Sequence, residues 1–371
     1  MSVVVITGAA GFVGRNLLAA LAQRQEHEAL AFDVGDGEDE LRQGLARADF
    51  VFHLAGVNRP KDPGEFRAGN AGLTQRVLDA LAESGRAVPF VLTSSIQAAL
   101  DNPYGASKRE AEQAVFAWAD RTGGRALVYR LPNLFGKWCR PNYNSAVATF
   151  CHNIARDLPI EISDPARELE LLYIDDLVAE LLRALDGRPN LGDDGRCHVS
   201  KTHRIALGML ADVLRGFRAS RDTLVLPDFS CELTKALYAT YVSYLPEDGF
   251  AYAADMKRDD RGWLVELIKG PAFGQIFVSR TKPGITRGNH WHHTKVEKFI
   301  VIEGQAVIRF RQIVGDQVLE YPVSGEDLRI VDIPTGYTHS IVNVGSTDVI
   351  TLFWTDMMFD PGNPDTYYLE V

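Results

Sequence analysis

His290 and His292 stand two residues apart in "GNHWHHTKVEKFIVIEG", and Glu297 follows five residues later. His339 lies downstream in "PTGYTHSIVN". Alternate residues of a strand share a face, so His290 and His292 can hold one ligand. Glu297 on the next strand adds an oxygen, and His339 from an antiparallel neighbour adds a third imidazole. This donor set suits a divalent cation, zinc first, with iron, nickel or manganese as alternatives. His293 has the opposite parity and is expected to face away. A second group lies in "YGASK", where Tyr104 and Lys108 stand four apart at the start of a helical pattern and share its face. An ammonium beside a phenol favours the phenolate and lowers a pKa normally near ~10. Such a tyrosine gives a proton to a carbonyl as hydride arrives, while a serine from the preceding "TSS" bonds the same oxygen.

The elements that must position these residues fall into two grammars. Up to residue 245, short apolar strands alternate with amphipathic helices: "VVVI", "LAF", "DFVFHLAG", "PFVLTSS" and "ALVYRLPNLFG", with helices such as "RNLLAALAQR" between them. That alternation predicts an α/β domain with a Rossmann-like, doubly wound parallel sheet and ligands at the carboxyl ends of its strands. From about residue 246 to 371 the pattern becomes short alternating strands broken by Gly, Pro and Asp turns, which predicts an all-β barrel. Two domains are expected, 1–245 and 246–371.

The first strand runs into "TGAAGFVG". Gly8 allows a tight turn, Gly11 lets the backbone approach a pyrophosphate, and Gly14 lets helix and strand pack closely. Thr7, Phe12 and Val13 complete this expected cofactor loop, together with Leu54, Ala55 and Gly56 of "HLAG". Asp33 ends the second strand, where an acid binds an adenosine ribose. Its charge repels a 2′-phosphate, and no arginine follows closely, which favours NADH over NADPH. His53 is read as a packed strand residue.

The formal net charge is −10, which argues against nucleic-acid or anionic-membrane partners. The four cysteines form no C-x-x-C pair and are read as reduced thiols. No stretch approaches the ~18 apolar residues of a membrane span, and the N-terminus reads as a strand, so a cytoplasmic protein is expected.

The glycine loop, "YGASK", "YRLPNLFG" and "LLYIDDLVAEL" resemble the extended short-chain dehydrogenase/reductase family over residues 1 to about 245. That resemblance makes Ser95, or its neighbour Ser94, with Tyr104 and Lys108 the catalytic group. It makes Asn133 a substrate contact, and Arg167 and Lys201 candidates for a diphosphate that also read as solvated charges. The spacing around His290 is similar to the two motifs of cupin barrels, although the second motif has its upstream glycine displaced to Gly325. The pairing, with "GITRGNHWHHTKVEKF" and "MMFDPGNPDTYYLEV", resembles end to end the bifunctional capsular-polysaccharide enzymes of the UDP-N-acetyl-L-fucosamine pathway. The resemblance implies a UDP-linked 2-acetamido-2,6-dideoxy-4-keto-hexose, C3 epimerisation in the barrel, and NADPH-dependent C4 reduction to the L-talose sugar. It also implies a homodimer through the barrel. Lys298, Tyr337 and His293 are the candidate bases. The rival expectations are a reductase with a purely structural barrel, a dinucleotide-binding redox sensor without turnover, and a C4 epimerase with tightly held NAD.

Overall fold

The computed structural model describes residues 1–371, and the chain divides into two compact units. The first comprises residues 1–214 and 236–246, and the second 215–235 and 247–371. A single cut at 245/246 therefore leaves out the two further crossings, at 214/215 and 235/236. The reason is local: the backbone at Leu224 and Leu226 bonds to both sides of Lys269, N–H to O at 2.8 Å in each direction. This ties residues 215–235 to the all-β part.

In the first unit, strands β1 (Ser2–Thr7), β2 (His27–Phe32), β3 (Phe50–His53), β4 (Pro89–Ser95) and β5 (Arg125–Leu131) form one parallel sheet in the order β2-β1-β3-β4-β5. Its strands are apolar on both faces because both are covered. Val4, Ile6, Phe52 and Val91 pack with Leu17 and Leu21 of helix α1 (Phe12–Leu21). Val5, Val51, Phe90 and Leu92 pack against helices α2 (Glu38–Arg47), α4 (Leu73–Glu83) and α5 (Pro103–Thr122), with α3 (Gly64–Arg67) preceding α4. Each aliphatic side chain so buried contributes about 1.5–3 kcal/mol.

The stretch "ALVYRLPNLFG" is not one strand. Pro132, which has no N–H to give a ladder, separates β5 from β6 (Asn133–Phe135). The latter pairs with β7 (Glu168–Tyr173) in a small second sheet completed by β8 (His203–Ala206). Asn133 and its neighbours thus belong to a separate sheet from β1–β5.

The second unit is antiparallel. One sheet holds β9 (Met256–Asp259), β10 (Gly262–Gly270), β11 (Gly274–Thr281), β13 (Glu297–Glu303), β16 (Ile330–Ile333) and β18 (Val349–Thr355), ordered β16-β13-β18-β11-β10-β9. The other holds β12 (Thr286–Trp291), β14 (Gln305–Gln312), β15 (Val318–Ser324), β17 (Tyr337–Asn343) and β19 (Tyr367–Tyr368), ordered β15-β14-β17-β12-β19. Phe299, Val301 and Phe353 of the first sheet and Ile308, Phe310 and Ile341 of the second share one core. No helix of the chain is long and apolar enough to cross a membrane.

Candidate active site and metal centre

At the carboxyl end of β1, Gly8 has φ +73°, and a Cβ there would lie 2.6 Å from the Ala55 nitrogen. A Cβ on Gly14 would meet the Gly8 carbonyl at 2.3 Å. These two glycines allow the loop to fold against β3 and α1 to start immediately. Gly11 begins α1 with no side chain on its terminal N–H groups, a cradle that suits a pyrophosphate. Phe12 and Val13 turn their side chains to the core, so only their backbone is available to a cofactor.

Thr7 is otherwise committed. Its hydroxyl bonds His53 Nδ1 at 2.6 Å and its carbonyl accepts from Leu54 N at 3.0 Å. Thr7 therefore joins β1 to β3 beneath the glycine loop expected to hold the cofactor. His53 is fully buried, bonded also to Thr74 Oγ1 at 2.9 Å, and burial beside Lys108 lowers its pKa to about 3. Asp33 reaches the glycine loop, accepting from Ala10 N at 2.7 Å and from Val34 N at 2.8 Å.

Asn102 caps α5 by accepting from Gly105 N, and Pro103 occupies its first turn, which places Tyr104 at the helix mouth. The two serines of "TSS" part company. Ser94 is buried and donates to Glu112 at 2.5 Å, on the face of β4 that carries Phe90 and Leu92. Ser95 shares a hydrogen bond with Tyr104. The structure therefore brings Ser95, and not Ser94, to the tyrosine.

One electrostatic expectation is overturned. Burial raises the Tyr104 pKa, the Ser95 bond opposing it. Burial outweighs any help from Lys108, whose ammonium donates to the Thr93 carbonyl at 3.1 Å. Burial lowers the Lys108 pKa to about 8, with Glu112 working in the other direction.

Sequence reasoning missed Asn70. It sits in a π-helical turn, Ala68–Gly72, where its amide bonds both polar groups of Val57 (2.9 and 3.1 Å) and Ser107 Oγ at 3.0 Å. A side chain on Gly56 would come within 2.8 Å of Asn70 Oδ1 and 3.1 Å of Lys108 Nζ. Asn70 thus pins the "HLAG" loop to the helix carrying Lys108. The glycines of "RAGNAG" were the one visible hint. Asn133 donates to the Glu170 carbonyl at 3.1 Å, and Arg167 and Lys201 are exposed.

In the second unit, one donor atom from each of His290, His292, Glu297 and His339 lies within 4.8 Å of the others. Glu297 Oε2 stands 3.4 Å from His292 Nε2 and 3.3 Å from His339 Nε2. Neither imidazole nitrogen has a hydrogen-bond partner. Buried polar atoms without partners are costly, and a cation among them would satisfy both, so the residues fit a divalent metal.

The placement differs in detail from simple strand alternation. A bulge at Asn289, φ +60°, shifts the register so that His290 sits opposite His339. β12 ends at Trp291, and His292 lies in the turn beyond it. Glu297 comes from the opposing sheet. Burial lowers His290 to about 4, with His339 adding to it. Burial pushes the Glu297 carboxyl up, but its contacts with His292 and His339 outweigh that and leave it below the usual carboxylate range. His293 is exposed, with ring contacts to Trp291 and Tyr367, and Lys298 pairs with Asp332 outside the barrel. Neither reaches the cluster. Tyr337 shares the inward face of β17 with His339, and its oxygen accepts from Gln312 at 2.8 Å.

Comparison with known proteins agrees with this two-part geometry. Residues 4–195 match the NAD dependent epimerase/dehydratase family, and residues 257–367 match the polysaccharide biosynthesis C-terminal domain. A UDP-2-acetamido-2,6-beta-L-arabino-hexul-4-ose reductase of Pseudomonas aeruginosa is 46% identical over 99% of this chain and 98% of its own. The crystal structure of capsular polysaccharide assembling protein CapF from Staphylococcus aureus superposes with a TM-score of 0.94 at 49% identity, over 99% of this chain and 100% of that one. UDP-glucuronic acid 4-epimerase from Bacillus cereus shares only the fold, at 17% identity and a TM-score of 0.54 over 65% of this chain and 98% of its own. The chain belongs to the NAD dependent epimerase/dehydratase family, in the branch that continues into a polysaccharide biosynthesis C-terminal domain.

Proposed function

We propose that the chain carries out two consecutive steps on a UDP-linked 2-acetamido-2,6-dideoxy-4-keto-hexose for surface-polysaccharide synthesis. The second unit, read as a cupin, inverts C3, and the first reduces C4 to the L-talose sugar. The reading rests chiefly on the two partnerless imidazole nitrogens around Glu297 in a chain that also aligns Ser95, Tyr104 and Lys108. The activity of the Pseudomonas relative supports the substrate class.

In the reductive step the bound nicotinamide supplies hydride to C4. Tyr104, kept protonated by burial, gives its proton to the C4 oxygen, and Ser95 donates a hydrogen bond to the same atom. Lys108, whose ammonium is held on the Thr93 carbonyl, adds its positive charge to the site from there rather than by contact with the phenol. NADPH is the proposed reductant. Asp33 is the residue that opposes it, but both of its oxygens are occupied by backbone N–H groups, which offsets part of its repulsion for a 2′-phosphate.

In the epimerising step a proton must leave C3 and return on the opposite face. The carbonyl at C4 acidifies it, yet a gap of roughly ten pKa units to a side-chain base remains, about 14 kcal/mol. A divalent cation held by His290, His292, Glu297 and His339, zinc first, would supply several kcal/mol by steadying negative charge at the C4 oxygen. Of the three bases weighed, Tyr337 alone shares the ligands' inward face, and it is the group proposed to take the proton from one face, with water returning one to the other.

The test is incubation of the keto sugar in D2O without nicotinamide. Deuterium at C3 is expected, and NADPH is then expected to be consumed as the C4 alcohol forms. Reduction without any C3 exchange would leave the barrel a purely structural part. The homodimer implied by the resemblance is checked by mass measurement in solution.

A further inference from the structure

Asp365 lies 68 residues beyond Glu297 in sequence, in the segment 360–369 that follows the last long strand, yet it folds onto the turn between β12 and β13. Its carboxylate takes four donors there: the backbone N–H groups of His293 (3.0 Å), Thr294 (2.9 Å) and Lys295 (2.9 Å), and Thr294 Oγ1 (2.9 Å). Its backbone carbonyl accepts from His292 Nδ1 at 2.6 Å. A carbonyl cannot donate, so Nδ1 must carry the ring proton. The lone pair is thereby left on Nε2, the atom that faces Glu297 without a partner. To make both contacts Asp365 adopts φ +43°, a left-handed conformation uncommon for a residue with a side chain.

The same segment also holds the strand that carries His290. Tyr367 and Tyr368 pair with Trp291 and His290, and Leu369 N bonds the carbonyl of Asn289 at 3.0 Å. Lys295 Nζ, nearly buried, closes the turn onto the Pro364 carbonyl at 2.9 Å and Thr366 Oγ1 at 3.0 Å.

We propose that Asp365 is a positioning residue for the metal centre: its carboxylate sets the 292–295 turn, and its carbonyl fixes the tautomer in which His292 offers Nε2 to the cation. This rests on the metal reading under Proposed function. Groups that orient a ligating imidazole typically affect metal affinity about 10- to 100-fold.

The test uses the full chain stripped with a chelator. Zinc affinity is measured by competition with a chromophoric chelator, and thermal unfolding is followed with and without zinc. Asp365→Ala is expected to bind zinc about 10- to 100-fold more weakly and to lose most of the zinc-dependent rise in Tm, with a smaller change in the metal-free Tm. Asp365→Asn, which keeps one oxygen and tolerates positive φ, is expected to fall between it and wild type, and serves if Asp365→Ala fails to fold. Wild-type zinc affinity in both variants, or an equal Tm loss with and without zinc, overturns the proposal. Failure of the wild-type chain itself to bind zinc overturns the metal reading instead, so the two failures are distinct.

Discussion

Replacing Tyr104 by Phe separates the two halves of the chemistry. The ring keeps its packing on Phe66, at 5.5 Å between centroids, and only the hydroxyl shared with Ser95 is lost. That bond is worth about 1 kcal/mol of stability, so the variant folds with a small drop in Tm. The catalytic cost is larger, because a positioned general acid contributes roughly 10²–10⁴ in rate, or about 3–5 kcal/mol of barrier. NADPH oxidation with the keto sugar should fall by that factor at constant cofactor affinity. C3 exchange in D2O should stay at the wild-type rate, since none of its proposed residues is touched. The pH profile offers a second check. Tyr104 is held above its ordinary pKa and remains a donor through neutral pH, while Lys108 loses its proton near pH 8. Wild-type kcat/KM should therefore decline on the alkaline side from about pH 8, the lysine charge disappearing first. A less than tenfold loss in Tyr104→Phe would falsify its role as acid, and a parallel loss of C3 exchange would sink the division of labour.

Glu297→Gln removes the anion facing His292 and His339; bound zinc and C3 exchange should both be lost, while reduction of sugar already inverted at C3 persists. Ser95→Ala should lower kcat about 10-fold or more with little change in Tm, whereas Ser94→Ala should leave kcat near wild type and cost about 1–2 kcal/mol of stability, by removing a hydrogen bond to the buried Glu112 carboxylate; the reverse pattern would exchange their roles. His53 has a folded pKa of about 3, below its ordinary value of 6.5, so the unfolded chain binds more protons between those values and stability must fall as pH drops below 6.5. Denaturant unfolding at pH 7 and pH 5.5 should show about 1 kcal/mol more loss in wild type than in His53→Gln, and identical losses would mean that His53 is not held neutral.

Much of both sites was legible because it is local or periodic. Tyr104 and Lys108 share a helix face at a spacing of four, and the glycine loop announces itself between a strand and a helix. The ligand quartet was legible as residue types, but its geometry was not. His292 lies past the end of its strand and His290 depends on a bulge, neither of which simple alternation foresees. The choice between Ser94 and Ser95 was in fact readable: Phe90, Leu92 and Ser94 alternate onto one face of β4, the helix-covered one. Thr7 follows the same logic, two residues from Val5 on the face of β1 that meets His53. Asp365 carried no such signal, and Asn70 only the glycines around it. Each acts on backbone far away in sequence, Val57 for one and the 293–295 turn for the other, and only the folded chain brings those groups together. The lysine was misjudged because proximity on a helix does not determine where a long side chain points; it took the Thr93 carbonyl.

The discontinuous second unit has a consequence for biosynthesis. Leu224 and Leu226 leave the ribosome before Lys269, the residue whose backbone they bind, has been made. At about 5–20 residues per second the wait is roughly 2–9 s. Throughout that interval the nascent segment must stay unpaired, and the intervening residues 236–246 return to the first unit. Slowing translation between these points should lengthen the exposure of Leu224–Leu226 to proteases and chaperones, and a fragment started at residue 246 should never acquire its missing partner.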